Sequence, residues 1–245
     1  MINFFRSVRK KFITKGRSRN YLIYAFGEIF LVMIGILLAL QVNNLNEDRK
    51  LKRTELSLLE EIQTNLRSTL DNFVGDTTYN RKTIVFYENI LHHIENDLPY
   101  DQELDSAFAS LRFFSTGFAM TSAYKSLQEE GLGIIKNKDL KINLQNVFDH
   151  KLTELETDVS QVEWDISSTI MNPFFTKHIR IIIDTNSTGL ARPNDFESLK
   201  DNVEFHNILN LLIRERTRSI LYYHDAMLVI KELLVQIADE LKARG

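Results

Sequence analysis

The chain has 245 residues, of which 44% are hydrophobic and 26% charged, with a formal net charge of −3 and no cysteine. These values suit a folded protein and exclude wholesale disorder, a disulfide scaffold, thiol catalysis and the usual structural zinc sites. The slight acidic balance also argues against nucleic acid as a partner, because that binding needs a clearly basic domain.

Residues 1–20 carry seven basic side chains (Arg6, Arg9, Lys10, Lys11, Lys15, Arg17, Arg19) and no acid. Phe4, Phe5, Val8, Phe12 and Ile13 fall near helical spacing among them, so this leader suits the lipid headgroup layer. A topology signal with incidental amphipathicity explains the same pattern. The next segment, Tyr21–Val42, has Glu28 as its one charged residue. As a helix it spans roughly 33 Å at about 1.5 Å per residue, against a hydrocarbon core of about 30 Å. It predicts a transmembrane helix. Its length and the missing small-x-small site favour an uncleaved signal anchor over a signal peptide. Beyond it, residues 43–60 hold four basic residues against four acids, so the positive-inside rule puts the N-terminus in the cytoplasm. Residues 43–245 then form an extracytoplasmic domain.

Glu28, Val32, Gly35, Ala39 and Val42 share one face, each within about 40° of Glu28 at 100° per residue. Gly35 and Ala39 form a small-xxx-small pair that lets helix backbones approach. An acid near mid-span costs about 2.5–3.5 kcal/mol and normally faces protein or water. This face is therefore a candidate association surface. The competing placement takes Tyr21 and Tyr24 as the interfacial belt, leaving Glu28 only about 6 Å deep.

In the remainder, Leu59, Ile62, Leu66, Leu70 and Phe73 repeat at helical spacing. Gly75-Asp76-Thr77-Thr78 is expected to break that helix and to cap the next, which carries Ile84, Tyr87, Leu91, Ile94 and Leu98 and ends at Pro99. A short helical piece with Leu104, Phe108 and Leu111 follows. Asn137 is the expected N-cap of a long helix from about 138 to 171, striped by Phe148, Leu152, Leu155, Val159, Val162, Ile166 and Ile170 and closed by Pro173. Residues 174–199 read as irregular: Ile181-Ile182-Ile183 is a short strand or buried loop, and Asn186 to Asn194 supplies turns. The last helix, about 202–242, keeps a near 3.5-residue repeat through Phe205, Leu209, Leu212, Arg216, Ile220, Tyr223, Met227, Ile230, Leu234, Ile237 and Leu241. The expected fold is all-α: one transmembrane helix followed by an elongated antiparallel bundle of four or five helices.

Two stretches are distinctive. Tyr24-Ala25-Phe26-Gly27-Glu28-Ile29 leads through Ile34-Gly35-Ile36 to Gln41-Val42-Asn43-Asn44-Leu45-Asn46-Glu47. Ala123-Tyr124-Lys125-Ser126-Leu127 is followed by Gly131 and Ile135-Lys136-Asn137-Lys138-Asp139-Leu140. Together they resemble an uncharacterised family of Gram-negative bacterial membrane proteins over residues 1–50 and 119–141. The resemblance implies an inner-membrane protein with a periplasmic domain and carries no activity. Leu45 stands where many relatives have tryptophan.

No HExxH, GxSxG or glycine-rich phosphate loop occurs, so no catalytic residue, metal or cofactor is expected. Adjacent His92 and His93 diverge by about 100° on a helix and do not share a metal easily. The aromatic break Phe113–Phe118 opens a new helix, and Phe114, Thr121, Tyr124 and Lys125 are the candidate ligand pocket, with helix amides able to meet an anion. A buried connection filling the bundle end is the plainer account of the same residues. Trp164, the only tryptophan, falls between stripe positions and is a candidate contact residue. The expected function is a membrane-anchored structural or regulatory interaction protein, homo-oligomeric or paired with another membrane protein. The alternative is a ligand-binding sensor ectodomain.

Overall fold

A computed structural model describes residues 18–182 and 189–244. The leader from Phe4 to Ile13, Ile183 and the turn at Asn186 lie outside them. Among the described residues the protein is all-α, 84% helical with two short strands. It divides into two compact units, Met1–Thr54 and Glu55–Gly245.

The first helix, α1, runs Ser18–Glu95 over 78 residues. In its N-terminal part an 18-residue window has a mean hydropathy of 2.4 and none of it is buried, so this helix is long and apolar enough to cross a bilayer. The break expected at Gly75–Thr78 does not occur. Phe73, Thr77, Asn80 and Thr83 are all buried along one helical face, and that packing outweighs the roughly 1 kcal/mol by which glycine disfavours a helix interior. Thr77, an expected cap, is instead buried within the helix, and Thr78 Oγ1 donates to the Val74 carbonyl at 2.8 Å. Where the sequence reads two helices there is one.

The short helix α2 (Asp105–Ser110) follows a 3-10 turn, and α3 (Ser122–Glu130) ends at Gly131, whose φ of +92° reverses the chain. The helical run α4 covers 138–178. Asn137 caps it, its side-chain oxygen accepting from the Asp139 and Leu140 amides. Pro173 does not close this run. Three π-helical stretches widen it, Asn146–Lys151, Glu156–Gln161 and Ser167–Met171. The last puts the Asn172 N–H onto Ser167 O, and this looser turn admits a proline that a regular α-helix would reject. In the stretch expected to be irregular, with a short strand or buried loop at Ile181-Ile182-Ile183, residues 179–182 and 190–193 form the two strands of a hairpin. Strand β1 (Ile179–Ile182) pairs antiparallel with β2 (Leu190–Pro193), from Ile179 opposite Pro193 to Ile182 opposite Leu190. Arg192 clamps Asp105 of α2 through two bonds at 2.6 and 3.0 Å, tying the hairpin to the helices. Helix α5 (Phe196–Lys200) is capped by Asp195, and α6 (Val203–Arg244) by Asn202, which accepts from Phe205 N–H.

Within the second unit α6 lies antiparallel to α4: Asn137 meets Glu240, Asn143 meets Gln236, Lys151 meets Asp225 and Asp158 O meets Arg218. It is also antiparallel to α1, with Glu55 against Arg244 and Phe73 against Tyr223. Three long helices therefore form the bundle, rather than four or five, and the short elements fill its sides. Two apolar cores result. One joins Leu59, Leu66 and Phe73 to Leu127, Leu144, Leu155 and Ile230; the other joins Tyr87 and Ile94 to Phe108, Phe174, Phe205 and Leu209.

Gly75 has open space where a Cβ would stand. Gly75→Ala is expected to raise stability by about 0.5–1 kcal/mol, read as a higher denaturation midpoint. A lower midpoint would restore the helix break that the sequence implies.

Candidate functional site

The loop 113–120 between α2 and α3 lies against α4, and the two enclose a groove of about 880 Å³. Phe114, Thr121, Tyr124 and Lys125, named from the sequence, all line it. The opposite wall comes from α4: Phe148, Asp149, Leu152, Thr153, Glu156, Ser160, Trp164 and Asp165. Most of these escaped a reading by stripe, because they sit beside the buried positions rather than on them. Trp164 carried the visible signal, a large ring out of register with the core, and it is 65% exposed.

The groove is built on packed side chains. Tyr124 lies flat on Phe148, ring centroids 4.3 Å apart and planes 7° from parallel. Its hydroxyl donates to Asp149 at 2.8 Å, and Gln128 donates to the same carboxylate at 3.4 Å. Burial, aided by the neighbouring Asp149, holds the Tyr124 hydroxyl well above the usual tyrosine range, so it stays a donor. Phe114 meets Trp164 edge to face at 6.3 Å.

The loop is fixed from α1. Asn72 donates to Phe118 O at 3.1 Å, and Thr69 Oγ1 accepts from Met120 N–H at 3.0 Å. Gly117 has φ +61°, and a Cβ there would collide with Leu155 and crowd Tyr223, so glycine lets the loop sit this close to α4. The α3 amides meet an acceptor within the protein: Ala123 N–H donates to Asn65 Oδ1 at 3.2 Å. That contact takes an amide expected to meet an anion. The charged side chains around the groove are three carboxylates, Asp149, Glu156 and Asp165, and one base, Lys125.

Behind the loop lies a polar layer between the two cores. Arg216 and Glu163, each 2% exposed, form a buried ion pair. Burial opposes the charge on Arg216, but Glu163 beside it prevails and holds the guanidinium above the ordinary arginine range. Arg216 Nη2 also donates to Phe113 O at 3.0 Å. Ser115 Oγ donates to Asn80 Oδ1 at 3.1 Å and lies 3.2 Å from the Tyr223 hydroxyl. Tyr87 donates to Ser110 O. Arg216 and Tyr223 were read as members of an apolar stripe; both are buried, as the period implies, but each serves this polar layer. The backbone of the groove loop is thus held by the layer's side chains.

On α1, Val32 is 59% exposed, Glu28, Gly35 and Ala39 are exposed too, and nothing lies within 4 Å of a Cβ placed at Gly35. No described residue of the chain covers this face.

Glu163→Gln would leave Arg216 buried without a counter-charge and is expected to cost about 3–5 kcal/mol in denaturant unfolding. Glu156→Gln, on the exposed rim, should stay within about 0.5 kcal/mol of wild type. Equal effects would dissolve the distinction between layer and rim. Comparison of the chain with protein-family models, curated proteins and solved structures finds no match.

Proposed function

We propose that this protein is a single-pass inner-membrane protein of Gram-negative bacteria and a member of the uncharacterised family it resembles. In this reading the basic leader stays in the cytoplasm and the helical domain works in the periplasm as a structural or regulatory interaction module. The observation that carries the reading is the apolar window of α1, none of which is buried. A helix surface of that hydropathy is stable only in lipid or against another apolar helix. Glu28, Gly35 and Ala39 share one face and have no cover within the chain, which favours association with a second copy or another membrane subunit.

A second reading, a ligand-binding sensor, is favoured by the groove between the loop 113–120 and α4. Its volume suits a small molecule, and its walls combine exposed aromatic rings with a few fixed polar groups. The two readings are compatible in one chain, because a sensor domain on a single span needs helix association to pass a signal.

A photo-crosslinking residue at position 39 in intact cells is expected to give one discrete protein adduct. The same residue at position 30, about 180° away around the helix, should give lipid adducts alone. Glu28→Gln or Gly35→Ile should weaken the adduct formed from position 39. A reporter fused after Gly245 that is active only in the cytosol would end the topological part of the proposal. Indifference of the crosslink to both substitutions would end the association part.

A further inference from the structure

We propose that the groove between the loop 113–120 and α4 binds a linear organic polyamine, a ligand with two or more ammonium groups separated by methylene runs. The proposal rests on the ligand-binding reading above and adds the chemical class. Three features of the groove point the same way.

The first is charge. Asp149, Glu156 and Asp165 face the groove against the single base Lys125, so its walls carry a net negative charge near neutral pH. Among the described residues neither Glu156 nor Asp165 belongs to an ion pair, although neighbouring acids on α4 do: Glu154 with Lys151, and Glu163 with Arg216. The second is spacing. The three carboxylates are spread along α4 over roughly 20 Å at about 1.5 Å per residue or slightly less. A compact ion meets one of them; an extended polycation meets several. The third is the surface between them. Trp164 is 65% exposed and Phe118 63% exposed beside the groove. Aromatic faces suit both methylene segments, through apolar contact, and ammonium groups, through the negative face of the ring. An alternation of carboxylate and aromatic side chains complements an alternation of ammonium and methylene.

An anionic ligand fits poorly by the same observations, because the carboxylates repel it and Asn65 already accepts from the Ala123 amide. A neutral sugar would stack on the rings and donate hydroxyls to the carboxylates, but it would leave their net negative charge unneutralised.

Trp164 is the only tryptophan in the chain and stands at the groove, so its fluorescence reports occupancy there. The test uses the full chain in lipid nanodiscs, titrated with spermine at constant ionic strength. Trp164 emission is expected to change saturably. Glu156→Gln with Asp165→Asn should weaken half-saturation about tenfold, as two exposed charge pairs of up to about 1 kcal/mol each imply, with the thermal midpoint of the free protein unchanged. The proposal is overturned if magnesium ions produce the same change as spermine, or if the double variant binds spermine as wild type does. A response to citrate or a neutral disaccharide, but none to spermine, overturns the ligand class and leaves the ligand-binding reading standing. No response to any of these probes removes both.

Discussion

The buried pairing of Arg216 with Glu163 is the contact around which the helical domain is arranged. Two charged groups at 2% exposure are tolerable only if each faces the other. A layer of polar groups from several elements lies around them. Arg216 reaches the Phe113 carbonyl, while Ser115 links Asn80 on α1 to Tyr223 on α6. A continuous apolar core would have packed three long helices more simply. The ion pair instead sets the register of α4 against α6, because sliding either by one turn would strand a buried charge. The polar layer also divides the interior into two apolar cores with different partners, one using α3 and the other the hairpin and α5.

The same layer explains why a loop without regular structure holds a defined shape. The segment 113–120 cannot satisfy its own backbone, and the layer and α1 do so for it, through Arg216, Thr69 and Asn72. Gly117 then brings the chain against Leu155 and Tyr223. The groove is what remains between this fixed loop and α4. Its floor is rigid because Tyr124, stacked on Phe148 and bonded to Asp149, links α3 to α4. Groove and polar layer share the loop, so a molecule bound in one bears on groups anchored in the other.

The π-helical turns of α4 contribute to both features. A regular α-helix would carry its apolar stripe steadily around the axis over forty residues. Three widened turns correct that drift, and Leu140, Leu155 and Met171 all stay buried. The same turns bring Asp149, Glu156 and Asp165 to one groove although ideal helical geometry would separate the last two by about 180°.

Much of this protein was legible in the residues alone. Periodicity located the apolar window of α1, the extents of α6 and most of α4, and residue chemistry the cap at Asn137, because these depend on local spacing and on short-range hydrogen bonds. The aromatic break before α3 marked Phe114, Thr121, Tyr124 and Lys125 as neighbours of one another for the same reason. Tertiary structure decided the rest. Whether Gly75 ends a helix depends on what covers Phe73, Thr77 and Asn80, and whether Pro173 does so depends on the π turn before it. The α4 wall of the groove, with its carboxylates and Trp164, was hidden because residues beside a stripe look like any solvated face until another segment folds over them. Arg216 shows the boundary most clearly: its spacing placed it inside, but only the approach of Glu163 from another helix made that position tenable for a charge.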